Sequence, residues 1–211
     1  MTNTKKGRLL IREEDSVNKG LIARMSLGTA QLGLDYGIAN KKGKVSREEA
    51  FKMLEYAHDL GIDALDTAYS YGESEDIIGK FVLRTWRKFN IVSKLPDIGK
   101  YDTFVVEKYF FETLKKLKQA RIYSYLIHKF DNLMFHKRNL WNKIESLKEQ
   151  GLVSKVGISL YQPEELEYLL EEKIPFDVIQ IPYNLFDRRF EEYFPILKER
   201  KTEIYVRSVF L

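Results

Sequence analysis

Six short apolar stretches of the chain each run into a polar residue suited to carbonyl chemistry: Asp66, Lys94, His128, Ser159, Gln180 and Ser208. Consecutive members lie 28, 34, 31, 21 and 28 residues apart. Each interval is about the length of one strand plus one crossover helix, the connection that parallel pairing needs. The simplest fold with such a repeat is a parallel (β/α) barrel. All of its strands point one way, so their carboxyl ends meet on one rim, where barrel active sites lie.

The intervening sequence fits that alternation. Arg24 to Leu27 is short, apolar at alternate positions and closed by Gly28. Arg47 to Leu60 then places Ala50, Phe51, Leu54, Ala57 and Leu60 at helical spacing behind a Ser46 cap, with Glu49 three residues on. The pattern recurs as strand 63–66, helix 74–82, strand 90–94, helix 103–118, strand 123–128 and helix 139–150. It continues with strand 153–159 after a Gly151 stop, a helix opened by Pro163, strand 177–181, helix 188–198 and strand 203–208. Seven strands and six helices are expected.

A closed barrel of this type needs eight strands, and the seventh expected strand is followed directly by Leu211. The expectation is therefore an incomplete TIM-type (β/α) barrel over 21–211, with about seven of eight strand-helix units, behind an N-terminal extension over 1–20. The run Leu9-Leu10-Ile11 is a further short strand candidate, but its polar flanks give no reason to place it in the barrel. An unclosed barrel exposes two sheet edges, through which self-association is expected.

Composition narrows the function classes. The chain is 44% hydrophobic and 31% charged, enough for one ordinary core. Its 35 basic and 31 acidic residues are interspersed and leave a net charge of only +4, which argues against a nucleic-acid partner. No window approaches the roughly 18 apolar residues of a membrane span. The opening MTNTKKGRLLIREED lacks the apolar centre of a secretory signal. With no cysteine, disulfides and thiolate chemistry are excluded and a cytoplasmic location is expected. The three histidines show no metal-ligand spacing: His58 sits on a charged helix face and His136 in a basic segment, so no metal is expected. No G-x-G-x-x-G fingerprint occurs. The aromatic run Tyr109-Phe110-Phe111, with Leu114 and Leu117, reads as core packing.

The densest motif is Asp-Thr-Ala-Tyr-Ser-Tyr-Gly-Glu-Ser-Glu, from Asp66 to Glu75, between an expected strand and helix. It resembles the aldo-keto reductase signature. The resemblance extends through LGTAQLG at 27–33, SKLP at 93–96, LIH at 126–128, VGIS at 156–159 and IQIPYN at 179–184. Carried over residue by residue, it implies a catalytic tetrad of Asp66, Tyr71, Lys94 and His128. Carbonyl reduction puts a hydride on carbon and negative charge on oxygen, so a proton donor is needed; that donor would be Tyr71. Lys94 would ease loss of the phenolic proton, Asp66 would hold Lys94 charged, and His128 would orient the carbonyl and stabilise its developing charge.

The resemblance also implies NADPH (NADP+) as cofactor, with NADH an alternative. Its site would draw on Gly28, Thr29, Ser159, Gln180, Arg207 and Ser208, with Ser159 and Gln180 at the nicotinamide carboxamide and Ser208 near the pyrophosphate. Two positions depart from the family pattern. Leu160 follows the strand-five serine where asparagine is common, and Arg207 replaces a tyrosine that many members stack on the nicotinamide. The segments LGTAQLGLDYGIAN and GISLYQPEEL look like a branch associated with sugar or polysaccharide metabolism.

Read this way, the chain resembles a C-terminally truncated member that reduces a small aldehyde or ketone. The alternatives are an inactive relative serving as a binding or regulatory protein, and a different barrel enzyme whose strand-end lysine forms a Schiff base.

Overall fold

Strand sequences such as IYSYLI and VIQIP are nearly continuous in apolar residues, as expected of parallel strands covered on both faces. The computed structural model describes residues 20–37, 40 and 43–210. Within it β1 (Ser26–Gly28), β2 (Ala64–Asp66), β3 (Asn90–Leu95), β4 (Ile122–Ile127), β5 (Val153–Ser159), β6 (Val178–Pro182) and β7 (Glu203–Arg207) form one sheet. They pair in parallel in that order. The helices between them are α1 (Ala30–Gly33), α2 (Arg47–Leu60), α3 (Ser74–Thr85), α4 (Val105–Leu117), α5 (Phe130–Glu149), α6 (Pro163–Glu171) and α7 (Phe194–Glu199). The Leu9-Leu10-Ile11 run lies outside the described residues.

The sheet is strongly curled. In a flat sheet, four strand spacings would separate β2 from β6 by roughly 19 Å. Gln180 on β6 nevertheless donates to Asp66 on β2 across 3.1 Å. Tyr123 on β4 likewise donates to Glu203 at the start of β7, at 2.7 Å. The result is an incomplete TIM-type barrel in which, among the described residues, β1 and β7 are the two edge strands.

Two apolar layers hold this curl. Outside the sheet, Leu54, Phe81, Phe110, Trp141, Leu166 and Leu197, one from each of α2 to α7, are fully or almost fully buried in a single cluster. Inside the curl, Val92, Leu126 and Val178 form a second cluster lined by Tyr123 and Tyr205. Side chains two apart on a strand share a face. Lys94, His128, Gln180 and Arg207, each two residues beyond a member of that inner layer, are therefore carried one step toward the carboxyl rim.

Some boundaries differ from the sequence expectation. The helix expected from Asn139 begins at Phe130, with a break at Lys137 (φ 51°, ψ −138°). Its first part is anchored by buried Leu133 and by Phe130, edge-to-face on Tyr168 at 5.7 Å, contacts that no local periodicity announces. The helix expected from Arg188 is a 3-10 turn at Glu191–Tyr193 followed by α7, whose start is set by Pro195, which has no N–H to give. The single turn α1 carries too few residues to show a period. In the aromatic run only Phe110 is fully buried; Phe111 is 50% exposed, because neighbours on a helix point about 100° apart.

Candidate active site

The site is assembled by the segment Asp66 to Glu75, whose two halves do different work. Its second half is a lock. Ser74 Oγ donates to Thr29 Oγ1 at 2.8 Å and lies 3.1 Å from Thr67 Oγ1, while Thr29 Oγ1 donates to the Asp66 carbonyl at 2.9 Å. All three hydroxyl residues are fully buried, so the β1 end, the β2 end and the start of α3 are tied at one point. Glu75 is also fully buried; it accepts from Ser93 at 2.7 Å, and burial raises its carboxyl above the usual range. Gly33 of the LGTAQLG motif closes the arrangement from the other side. A Cβ there would stand 1.8 Å from the Tyr71 carbonyl oxygen, so only glycine lets α1 seat against the turn that carries Tyr71.

The first half of the segment presents the chemistry. Lys94 is completely buried, and its Nζ donates to Asp66 Oδ1 at 2.6 Å and to the Thr67 carbonyl at 2.9 Å. The pairing follows from the stagger of the sheet: Asp66 is level with Val92, so the lysine two residues on bends back to reach it. Nζ also lies 5.1 Å from the centre of the Tyr71 ring, and that ring meets His128 edge-to-face at 5.8 Å. The structure thus brings Asp66, Tyr71, Lys94 and His128 together at one end of the curled sheet.

Burial, then the Asp66 carboxylate, push the Tyr71 phenol well above its ordinary range, and Arg207 opposes this. Lys94 is not among the main influences on Tyr71, since its charge faces Asp66 at contact distance. Tyr71 therefore holds its proton firmly near neutral pH. His128 moves the other way: burial first, then the Lys94 ammonium, lower it to about 4, so the ring is neutral at pH 7. Its Nδ1 lies 3.2 Å from Ser70 Oγ.

The six further candidates differ in how free they are. Gly28 ends β1 with open space where a Cβ would stand. The Thr29 hydroxyl is committed to the lock. Ser159 and Gln180 are level with each other at the ends of β5 and β6, and both are buried. The Gln180 amide shares Asp66 Oδ1 with Lys94. Ser208 has a left-handed backbone (φ 58°), and its carbonyl accepts from Asn184 at 3.0 Å. Arg207, at the end of β7, lies over the Tyr161 ring at 3.8 Å.

Sequence reasoning missed Ser70, Tyr36 and Tyr161. Both tyrosines lie close enough to Tyr71 to raise its phenol further. Each follows a strand end in the sequence, which was the available signal, but nothing local says that the loops after β1 and β5 fold toward the same phenol. His58 is held instead by Phe89, edge-to-face at 5.3 Å, and by Arg87. His136 meets the Gly99 carbonyl oxygen at 2.8 Å. No metal-ligating cluster occurs among the described residues.

Residues 24–210 match the model of the Aldo/keto reductase family. Among curated proteins, the uncharacterized oxidoreductase YqkF of Bacillus subtilis is 27% identical over 199 residues, 88% of this chain and 64% of the relative. The aldo-keto reductase YhdN of the same organism is 27% identical over 192 residues, 85% of this chain and 56% of the relative. The chain thus spans about three fifths of the length of these two relatives. Among solved structures, PA4992 of Pseudomonas aeruginosa superposes with a TM-score of 0.73 at 27% identity, covering 86% of this chain and 71% of that one. The Bombyx mori aldo-keto reductase AKR2E4, a complex with NADP, shares the fold with a TM-score of 0.66 at 21% identity, over 87% of this chain and 62% of that one.

Proposed function

This chain belongs to the Aldo/keto reductase family, and from that premise we propose that it carries the catalytic machinery for NADPH-dependent reduction of a small aldehyde or ketone to an alcohol. The observation that carries the reading is the contact of the buried Lys94 with Asp66 at 2.6 Å beneath the Tyr71 ring, with His128 against the ring's edge.

In this reading Tyr71 is the general acid. Its raised phenol keeps the proton on Oη until negative charge builds on the substrate oxygen, and only then is transfer favourable. Lys94, its charge balanced by Asp66, lies beneath the ring and holds the phenol in place for that transfer. The neutral His128 serves as a hydrogen-bond donor: with Ser70 donating to Nδ1, the ring proton resides on Nε2 and points at the carbonyl oxygen. Buried Thr67, Ser74 and Thr29 keep these groups from drifting.

The rim fits a nicotinamide cofactor on its donor set. Gly28 leaves open space at the end of β1, and the polar side chains of Ser159 and Gln180 sit level on neighbouring strands. Those residues and Ser208 would hold it, Thr29 acting through its grip on Asp66, and the cofactor when bound supplies the hydride. The partner is a small carbonyl compound, not nucleic acid. Among the described residues no helix is long and apolar enough to cross a membrane.

The test pairs Tyr71→Phe with Tyr56→Phe, an exposed tyrosine on α2. Reduction of a generic aldehyde should fall roughly 100- to 10,000-fold in the first variant only, with NADPH affinity by fluorescence titration unchanged. Full activity in Tyr71→Phe, or equal loss in both variants, would overturn the assignment.

A further inference from the structure

Among the described residues no carboxylate forms an ion pair with Arg207. Among the described residues its side chain makes one hydrogen bond, from Nη2 to the Leu160 carbonyl at 3.1 Å. Its Nε is buried with no partner among them. The carboxylate that feels its charge, Asp187, is already engaged by Arg189. A guanidinium kept with an unsatisfied buried donor does not earn its place through stability, and such groups in folded proteins call for a functional account.

Its position supplies one. The Tyr161 ring fixes the guanidinium plane at 3.8 Å, and Tyr161 is itself pinned by Glu165, whose carboxylate accepts from the backbone N–H of Tyr161 at 2.5 Å and of Gln162 at 3.1 Å. From there the charge of Arg207 acts on both Tyr71 and His128, the two groups that would meet the carbonyl oxygen. Asp66 and Lys94 cancel each other, Lys129 is paired with Asp97 and His128 is neutral, so among the charges that act on Tyr71 and His128 that of Arg207 is the one left unbalanced among the described residues.

We propose that Arg207, braced by Tyr161, is a specificity residue that receives an anionic group, a carboxylate or phosphate, carried by the carbonyl substrate. The planar fork of donors is the arrangement that recognises such groups. The inference rests on the carbonyl-reductase reading and narrows its substrate class to acidic aldehydes and ketones. The same chemistry could be met by the pyrophosphate of the cofactor, near which the sequence resemblance places the adjacent Ser208, so the experiment separates the two sources.

The probes are 4-carboxybenzaldehyde and its methyl ester, which differ by one negative charge, used on the full chain and on Arg207→Met and Arg207→Lys. The wild-type ratio of kcat/KM, acid over ester, should fall roughly tenfold or more in Arg207→Met and recover in part in Arg207→Lys. An unchanged ratio overturns the proposal, as does a weakened NADPH affinity with the ratio intact, which would assign the anion to the cofactor. Reduction of neither aldehyde would defeat the carbonyl-reductase reading by itself. Calorimetric titration with the two aldehydes still decides the role of Arg207. Tighter binding of the acid in the wild type, lost in Arg207→Met, supports it, and equal binding of acid and ester overturns it.

Discussion

His128 shows how one side chain couples the site to stability. Its pKa is lowered to about 4 by burial and by Lys94, whereas an unfolded chain restores the ordinary value of about 6.5. Between those values the unfolded state binds a proton that the folded state refuses, so stability falls as the pH drops from 6.5 toward 4 and levels off below. The loss reaches at most about 3 kcal/mol. Urea unfolding at several pH values should therefore give a shallower acid slope for His128→Gln than for the wild type; identical slopes would show that the imidazole is not held neutral. At this scale the sequence was informative about residue type and poor about commitment. Asp66, Tyr71, Lys94 and His128 stand out by type and place, but nothing in the chain says that the Thr29 hydroxyl is spent on Asp66, or that Asp66 outweighs Lys94 in its effect on Tyr71.

Helices and strands were easier to read, because each depends on signals a few residues apart. Helix α2 runs over the expected Arg47–Leu60, and Ser46 Oγ accepts from the Glu49 N–H at 3.2 Å, the cap that the sequence suggests. Strand β5 likewise spans the expected Val153–Ser159. What cannot be read locally is how closely elements approach. At Gly79 on α3 a Cβ would stand 2.1 Å from the Lys116 carbonyl oxygen of α4, so the two helices touch through backbone. Gly79→Ala should lower the urea midpoint by the equivalent of about 1 to 3 kcal/mol. Gly20→Ala, where open space surrounds the added methyl, should leave it within about 0.5 kcal/mol. Equal midpoints for the two variants would mean that α3 and α4 do not pack this closely. The late start expected for α5 has the same origin, since the turn before Lys137 is stabilised by distant Tyr168 and not by its own sequence.

For the molecule as a whole, closure across the curl is the feature to test. Glu203 at the start of β7 accepts from Tyr123 of β4 at 2.7 and 3.0 Å and pairs with Lys155 of β5. This polar bridge lies within the curl beneath the inner apolar layer and ties an edge strand to the middle of the sheet. Glu203→Ala should cost about 1 kcal/mol, the pair being partly exposed. Hydrogen exchange should speed up selectively in β7 while β3 and β4 stay protected; uniform acceleration would deny the bridge this role. The chain by itself determined the alternation of strand and helix, the parallel order that follows from crossover length, and the chemical types waiting at each strand end, because all of these rest on short-range periodicity and spacing. Tertiary structure decided which of those ends meet. Curl brings Gln180 to Asp66, stagger bends Lys94 back to its partner, and the loops after β1 and β5 set Tyr36 and Tyr161 around Tyr71. Such contacts join residues up to 114 positions apart, and their energy exists only once the sheet has closed around them.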